Sequence, residues 1–138
     1  MKQFLTPFNI NFYDAIRAYN ELQEIDWTIR AKMSIGDEVY FYCSAPIKKI
    51  LFKGIVTDVN VKFQDMIEDG RFYKKESDKK CNNGFRYTRI KLSERLSDEK
   101  TNLLTFHELK EHGLKGPIQK TLILDNNQEL YTYINDIC

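Results

Sequence analysis

The chain has 138 residues, 42% hydrophobic and 30% charged, a balance that excludes a disordered or membrane-embedded chain and predicts one globular domain over residues 1–138. Lys and Arg number 21 against 20 Asp and Glu, for a net charge of +1. Wholesale basicity is therefore no ground for nucleic-acid binding, which would need a local patch or a base pocket.

Phe4 to Phe8 reads as a short extended piece. Asn11 then suits a helix N-cap, and Ile16, Tyr19, Asn20, Leu22 and Gln23 form a partial stripe that predicts a helix from about Phe12 to Gln23. After Trp27, "SIGD" reads as a tight turn, with Gly36 free to take backbone angles other residues avoid. Val39–Ser44 and Ile50–Lys62 alternate as strands and are expected to pair antiparallel across the turn containing Pro46. Gly54, inside the second, predicts a bulge or bend.

From Glu68 to Phe85 the chain is charged and poor in aliphatics, which predicts a mobile loop or hairpin with Asn83-Gly84 as its turn. "FRYTRIKLSERL" is a further strand. Two short helices are expected to close the chain. Thr105 and Glu108 fit a capping box with Gly113 at the C-terminal end, and Asp125 to Gln128 resembles a second start, for a helix presenting Leu130, Tyr133, Ile134 and Ile137. Together these elements predict an α+β fold with a curved, mainly antiparallel sheet and peripheral helices.

Cys43, Cys81 and Cys138 are far apart, odd in number and without a CxxC pair. This argues against zinc and against a disulfide framework, and predicts a reduced, cytoplasmic protein. "MKQFLTPFNI" is too short and polar for a signal-peptide core, and no run reaches membrane-spanning length. His107 and His112 are five residues apart on one helix, the wrong spacing for a two-ligand metal motif. Phosphate-loop, dinucleotide-binding and hydrolase-elbow motifs are absent from the sequence. Cys43 as a nucleophile would need a base from far along the chain, so a buried structural cysteine is the simpler reading. Glu21, Glu24, Asp26, Glu108 and Glu111 read as solvated helix-face carboxylates. No catalytic residue, metal or cofactor is expected.

The succession "LQEIDWTIRAKMSIGDEVYFYCSAPIKKILFKGIVTDVNV" resembles the EVE domains of the PUA-like superfamily. The shared elements are Trp27, Gly36-Asp37, Val39, Phe41-Tyr42, Ser44, Ile50, Gly54 and Val56. "LTFHELKEHGLKGPIQKTLILDNNQELYTYI" also looks like that family's C-terminal part. The likeness leaves out mainly residues 63–85, and the opening "FLTPFNI" lacks the aromatic-rich start of many EVE domains.

The resemblance implies a PUA-like pseudo-barrel that recognises a modified or flipped base in DNA or RNA, as the related YTH domains hold a methylated base among aromatics. Trp27 and Tyr42 would then supply stacking faces, with Ser44 and Gln119 reading the base edge. Lys48, Lys49, Arg86 and Arg89 are the candidate phosphate contacts. Cys43 alternates with Tyr42 and Ser44 and would face away from such a pocket. Two other readings stay open: a small-molecule or nucleotide-binding regulator using the same cleft, and a nuclease of the related ASCH type. A lysine and a carboxylate converging on the cleft would favour the enzyme.

Overall fold

The structure, a computed structural model, describes residues 1–29, 31–79 and 84–138. Lys80, Cys81 and Asn83, expected in the charged loop and its turn, lie outside these residues. β1 (Gln3–Phe8) leads through a short loop to α1 (Ala15–Leu22). The cap of α1 is Asp14 rather than Asn11: its carboxylate accepts the Arg17 amide at 3.1 Å, while its own amide donates to the Phe72 carbonyl at 2.7 Å. Asn11 instead donates its amide to the Asn9 side chain in the preceding turn. The helix stops at Leu22 because Gln23 turns left-handed, with φ of 59°.

β2 (Glu24–Trp27) follows, an element that the expected helical stripe gave no hint of. The Ser34–Asp37 turn then forms as read, with Gly36 at φ +95° and the Asp37 carboxylate accepting the amides of Ser34 and Lys2. It launches β3 (Glu38–Cys43), which pairs antiparallel with β4 (Lys49–Val61) as expected. β4 pairs in turn with β5 (Tyr87–Arg95), and their register shifts at Lys53/Gly54, the bulge that Gly54 predicted. A Cβ at Gly54 would stand 2.5 Å from Ile90 Cγ2 and 2.9 Å from the Lys91 carbonyl.

Between β4 and β5 there is no hairpin among the described residues. The chain makes three single 3₁₀ turns, at Phe63–Asp65, Gly70–Phe72 and Glu76–Asp78, and buries Asp69 and Phe72 against the domain. Charge in this segment concealed two anchoring side chains.

Three helices, not two, follow β5. α2 (Asp98–Asn102) is capped by Ser97, and α3 (Phe106–Glu111) by Thr105, whose hydroxyl accepts the Glu108 amide as predicted. Gly113 ends that turn at φ +108°. β6 (Leu122–Ile123) precedes α4 (Gln128–Ile137), which is capped by Asn127 rather than Asp125. Asp125 is occupied elsewhere, accepting the Gln3 amide at 2.8 Å. Gln3, itself buried, exchanges two side-chain amide hydrogen bonds with Asn135 and so ties α4 to β1.

The sheet runs β2-β5-β4-β3-β1-β6, and every pairing is antiparallel except that of β1 with β3. It is an open six-stranded sheet with β2 and β6 as its edges, which does not bear out the pseudo-barrel expected. β3 is covered on both sides. Val39, Phe41 and Cys43 face one apolar cluster, shared with Phe4, Phe8, Phe52, Ile90 and α1. Tyr40 and Tyr42 face a second, built with Leu104, Leu109, Leu130 and Ile134 from the C-terminal helices. Burial on both faces is why the strand reads as a nearly continuous aromatic run.

Gly54→Ala should destabilise the protein by roughly 1–3 kcal/mol, because a strand backbone carbonyl cannot yield as a flexible side chain would. Denaturant titration reads this directly, and unchanged stability would mean that the bulge has room to relax.

Candidate functional site

β2 has only four residues and lies at a sheet edge, yet it is firmly held. Asp26 is wholly buried, paired across the strands with Arg89. Arg89 grips it with a fork, Nε to Oδ1 at 2.9 Å and Nη2 to Oδ2 at 3.0 Å. The Ile67 amide donates to the same carboxylate at 2.8 Å, and Arg89 Nη2 also donates to the Asp65 carbonyl at 3.0 Å. One carboxylate thus joins β2, β5 and the segment between β4 and β5. Such two-pronged, charge-assisted bonds fix orientation as well as position.

The next residue, Trp27, is only partly buried. Tyr13 meets it edge-on, ring centroids 5.0 Å apart and planes at 63°, and Tyr73 meets Tyr13 at 4.7 Å and 65°. The Tyr13 hydroxyl donates to Asp69 Oδ2 at 3.2 Å. Burial, with Asp69 beside it, raises the pKa of this phenol far above its ordinary range, so Tyr13 remains a neutral donor.

Two cavities open beside Trp27. One, of about 560 Å³, is lined by Thr6, Pro7, Ala31, Gln119, Lys120 and Thr121 together with Trp27 and Thr28. Its walls come from both edges of the sheet: Trp27 and Thr28 close β2, and residues 119–121 lead into β6. The hydroxyls of Thr6 and Thr121 lie 2.7 Å apart and fasten the second wall to β1. The other cavity, of about 370 Å³, is aromatic, with Phe8, Phe12, Tyr13 and Tyr73 around Trp27. The two share Pro7, Trp27 and Thr28. A larger cavity of about 730 Å³ adjoins the cleft at Thr121 and runs between residues 114–117, β6 and the start of α4; among the described residues it has no aromatic wall.

Of the residues chosen from sequence, Trp27 and Gln119 line one cavity together. Tyr42 does not join them. It is buried in the cluster beneath α3 and α4, on the opposite face of the sheet from the cluster that Trp27 borders. The alternation along β3 holds, but with the faces exchanged: Cys43 is the residue on Trp27's side. Ser44 lines neither cavity and belongs to the turn, its amide donating to the Phe8 carbonyl at 2.9 Å.

Among the candidate phosphate contacts, Arg89 is committed to Asp26. Lys49 donates to Asn102 Oδ1 at 2.7 Å, and Lys48 lies over the Phe106 ring at 5.8 Å, so both belong to the surface near α2 and α3. Arg86 is exposed and, like these lysines, lines neither cavity. Among the described residues, the cation that does line the cleft is Lys120. Its position beside Gln119 was a usable signal. Nothing in the sequence announced Tyr13, which reads as part of a helix start, or Tyr73, embedded among charges.

No protein-family model and no curated protein matches the sequence. Solved structures do. The chain is similar to the ASCH protein of Zymomonas mobilis, with a TM-score of 0.65 and 13% identity over 98% of this chain and 94% of that one. A hypothetical protein from Leishmania major matches at 0.61 and 18% identity, covering 99% and 94%. A protein from Pseudomonas putida matches at 0.61 and 17%, covering 98% of each chain. At such identities the likeness is one of fold: the α+β architecture resembles that of the Zymomonas mobilis ASCH protein. The EVE family is not singled out.

Two outcomes follow from this geometry. Arg89→Ala should cost about 3–5 kcal/mol of stability by leaving Asp26 charged and buried, whereas Arg89→Leu combined with Asp26→Leu should cost less; denaturant titration of both variants checks it. Cys43 is fully enclosed, and burial pushes its thiol up to about 11 despite an opposing hydrogen bond with the Ile10 backbone. Iodoacetamide at pH 8 should leave Cys43 unlabelled in the native protein and label it in denaturant, as peptide mass mapping would show.

Proposed function

We propose that this protein is a non-catalytic module that binds nucleic acid, taking an unstacked base into the cleft between Trp27 and Gln119. The observation that carries this reading is the placement of a half-buried indole on one sheet edge with an amide, hydroxyls and one ammonium on the wall opposite. Stacking on an aromatic face supplies about 1–3 kcal/mol per base. Gln119 offers both a donor and an acceptor to a base edge, and the threonine hydroxyls either role. Lys120 is placed to meet a phosphate.

The ASCH-type fold and the likeness of the Leu22–Val61 and Leu104–Ile134 stretches to EVE domains support a modified base as the preferred ligand. The same cleft could hold a small molecule, but its openness between two strand edges suits a group that remains attached to a chain. Among the described residues its walls contain a lysine and no carboxylate, which favours binding over hydrolysis.

Trp27→Ala should weaken binding to a single-stranded oligonucleotide by about 1–3 kcal/mol, or roughly 5- to 150-fold, with the fold intact by circular dichroism. Lys120→Ala should reduce the slope of log affinity against log salt by about 0.7, the value of one single-strand phosphate contact. Lys48→Ala with Lys49→Ala should change that slope less. Neither Lys120 substitution nor the paired one should alter preference among methylated bases, since phosphate contacts carry no sequence information. Affinity indifferent to Trp27 would place the site elsewhere.

A further inference from the structure

Beyond the cleft itself, the aromatic cavity that shares Trp27 with it is left without a role. We infer that it is a second nucleotide subsite, so that two consecutive nucleotides of a single strand are held with the Trp27 indole as the wall between their bases. The inference rests on the nucleic-acid reading of the cleft and adds the length of strand that is gripped.

Continuity is the first argument. The two cavities share Pro7, Trp27 and Thr28, so groups bound in them would be separated by little more than a side chain. At about 370 and 560 Å³, each falls within the range of about 300–1,000 Å³ typical of small-ligand sites. Their chemistry divides the task. The cleft is walled by amide and hydroxyl groups able to read a base edge, whereas the aromatic cavity suits any base through its π-face.

Rigidity is the second argument. The Asp14 amide donates to the Phe72 carbonyl at 2.7 Å and the Lys74 amide to the Phe12 carbonyl at 2.9 Å, and Tyr13 bridges Tyr73 between them. This short ladder joins the two rim segments. The Tyr13 ring meets Trp27 and Tyr73 at steep angles, forming a corner rather than a closed stack. Phe12 remains 49% exposed at the rim, an apolar ring that no core claims. A preformed aromatic corner loses little entropy when it captures a ring. Lys74, exposed, directly follows Tyr73, and Lys120 stands in the cleft, giving each compartment a nearby cation. Inserting an indole between neighbouring bases requires them to be unstacked, which a single strand permits at low cost and a duplex does not.

The sequence contains one tryptophan, so indole fluorescence reports the shared wall directly. Titration with adenosine monophosphate, the dinucleotide ApA and the trinucleotide ApApA should show affinity rising about 5- to 150-fold from the first to the second, the factor that about 1–3 kcal/mol of stacking gives. The rise from the second to the third should be small. Phe12→Ala, which removes an exposed ring, and Tyr73→Leu should each abolish most of the dinucleotide gain while leaving monophosphate affinity unchanged. Equal affinity for monophosphate and dinucleotide, or a variant that weakens both alike, would overturn the second subsite while sparing the cleft. No binding of any of the three, or of methylated oligonucleotides, would overturn the nucleic-acid reading and this inference with it.

Discussion

The Asp26 carboxylate is the point on which the functional half of the molecule depends. A four-residue edge strand has little to hold it in register, and a charge without solvent must be fully paired or it destabilises the fold. Here both requirements are met at once. The Arg89 fork fixes β2 against β5, and the Ile67 amide brings in the segment between β4 and β5. That segment then delivers Asp69, Phe72 and Tyr73 to the vicinity of Tyr13. The indole of Trp27 is thereby fixed by its neighbours, although it is itself only partly covered.

The central strands explain how such an edge can exist. β1 and β3 run parallel and are covered on both faces, one cluster under α1 and the other under α3 and α4. With the core placed in the middle of the sheet, its two outer strands are free of the need to close on each other. Pro7, on β1, has no amide to donate, and it lies where both cavities meet. The cleft is in this sense what remains when a curled sheet stops short of closure.

Local chemistry was legible in the sequence where it is decided locally. The Gly36 turn, the Gly54 bulge, the Thr105 cap and the β3–β4 pair all follow from residues adjacent to them. Long-range demands overrode it elsewhere. Asp125 looked like a cap but is drawn to the Gln3 amide on β1, leaving Asn127 to start α4. Asn11 yielded to Asp14 because the Phe72 carbonyl anchors the latter's amide. In the site, Trp27 and Gln119 were found, but Tyr42 was placed on the wrong side. Alternation along β3 says which residues share a face and is silent on which face adjoins β2, since that depends on the path of the whole sheet. Arg89 looked like a surface cation because its partner lies 63 positions away.

The Thr6–Thr121 hydroxyl pair and the two-residue strand behind it have a consequence for how such a protein can change. The site resembles a vice with unequal jaws. The Trp27 jaw is bolted through the Asp26–Arg89 ion pair, and substitutions at that pair are felt by the core. The Gln119–Thr121 jaw hangs from two ladder positions and a hydroxyl contact. Its side chains can be exchanged, or the jaw set wider or narrower, with the frame undisturbed. Selection for a new ligand would therefore be expected to write itself into residues 119–121 first, with the indole kept as the fixed plate against which each new occupant is gauged.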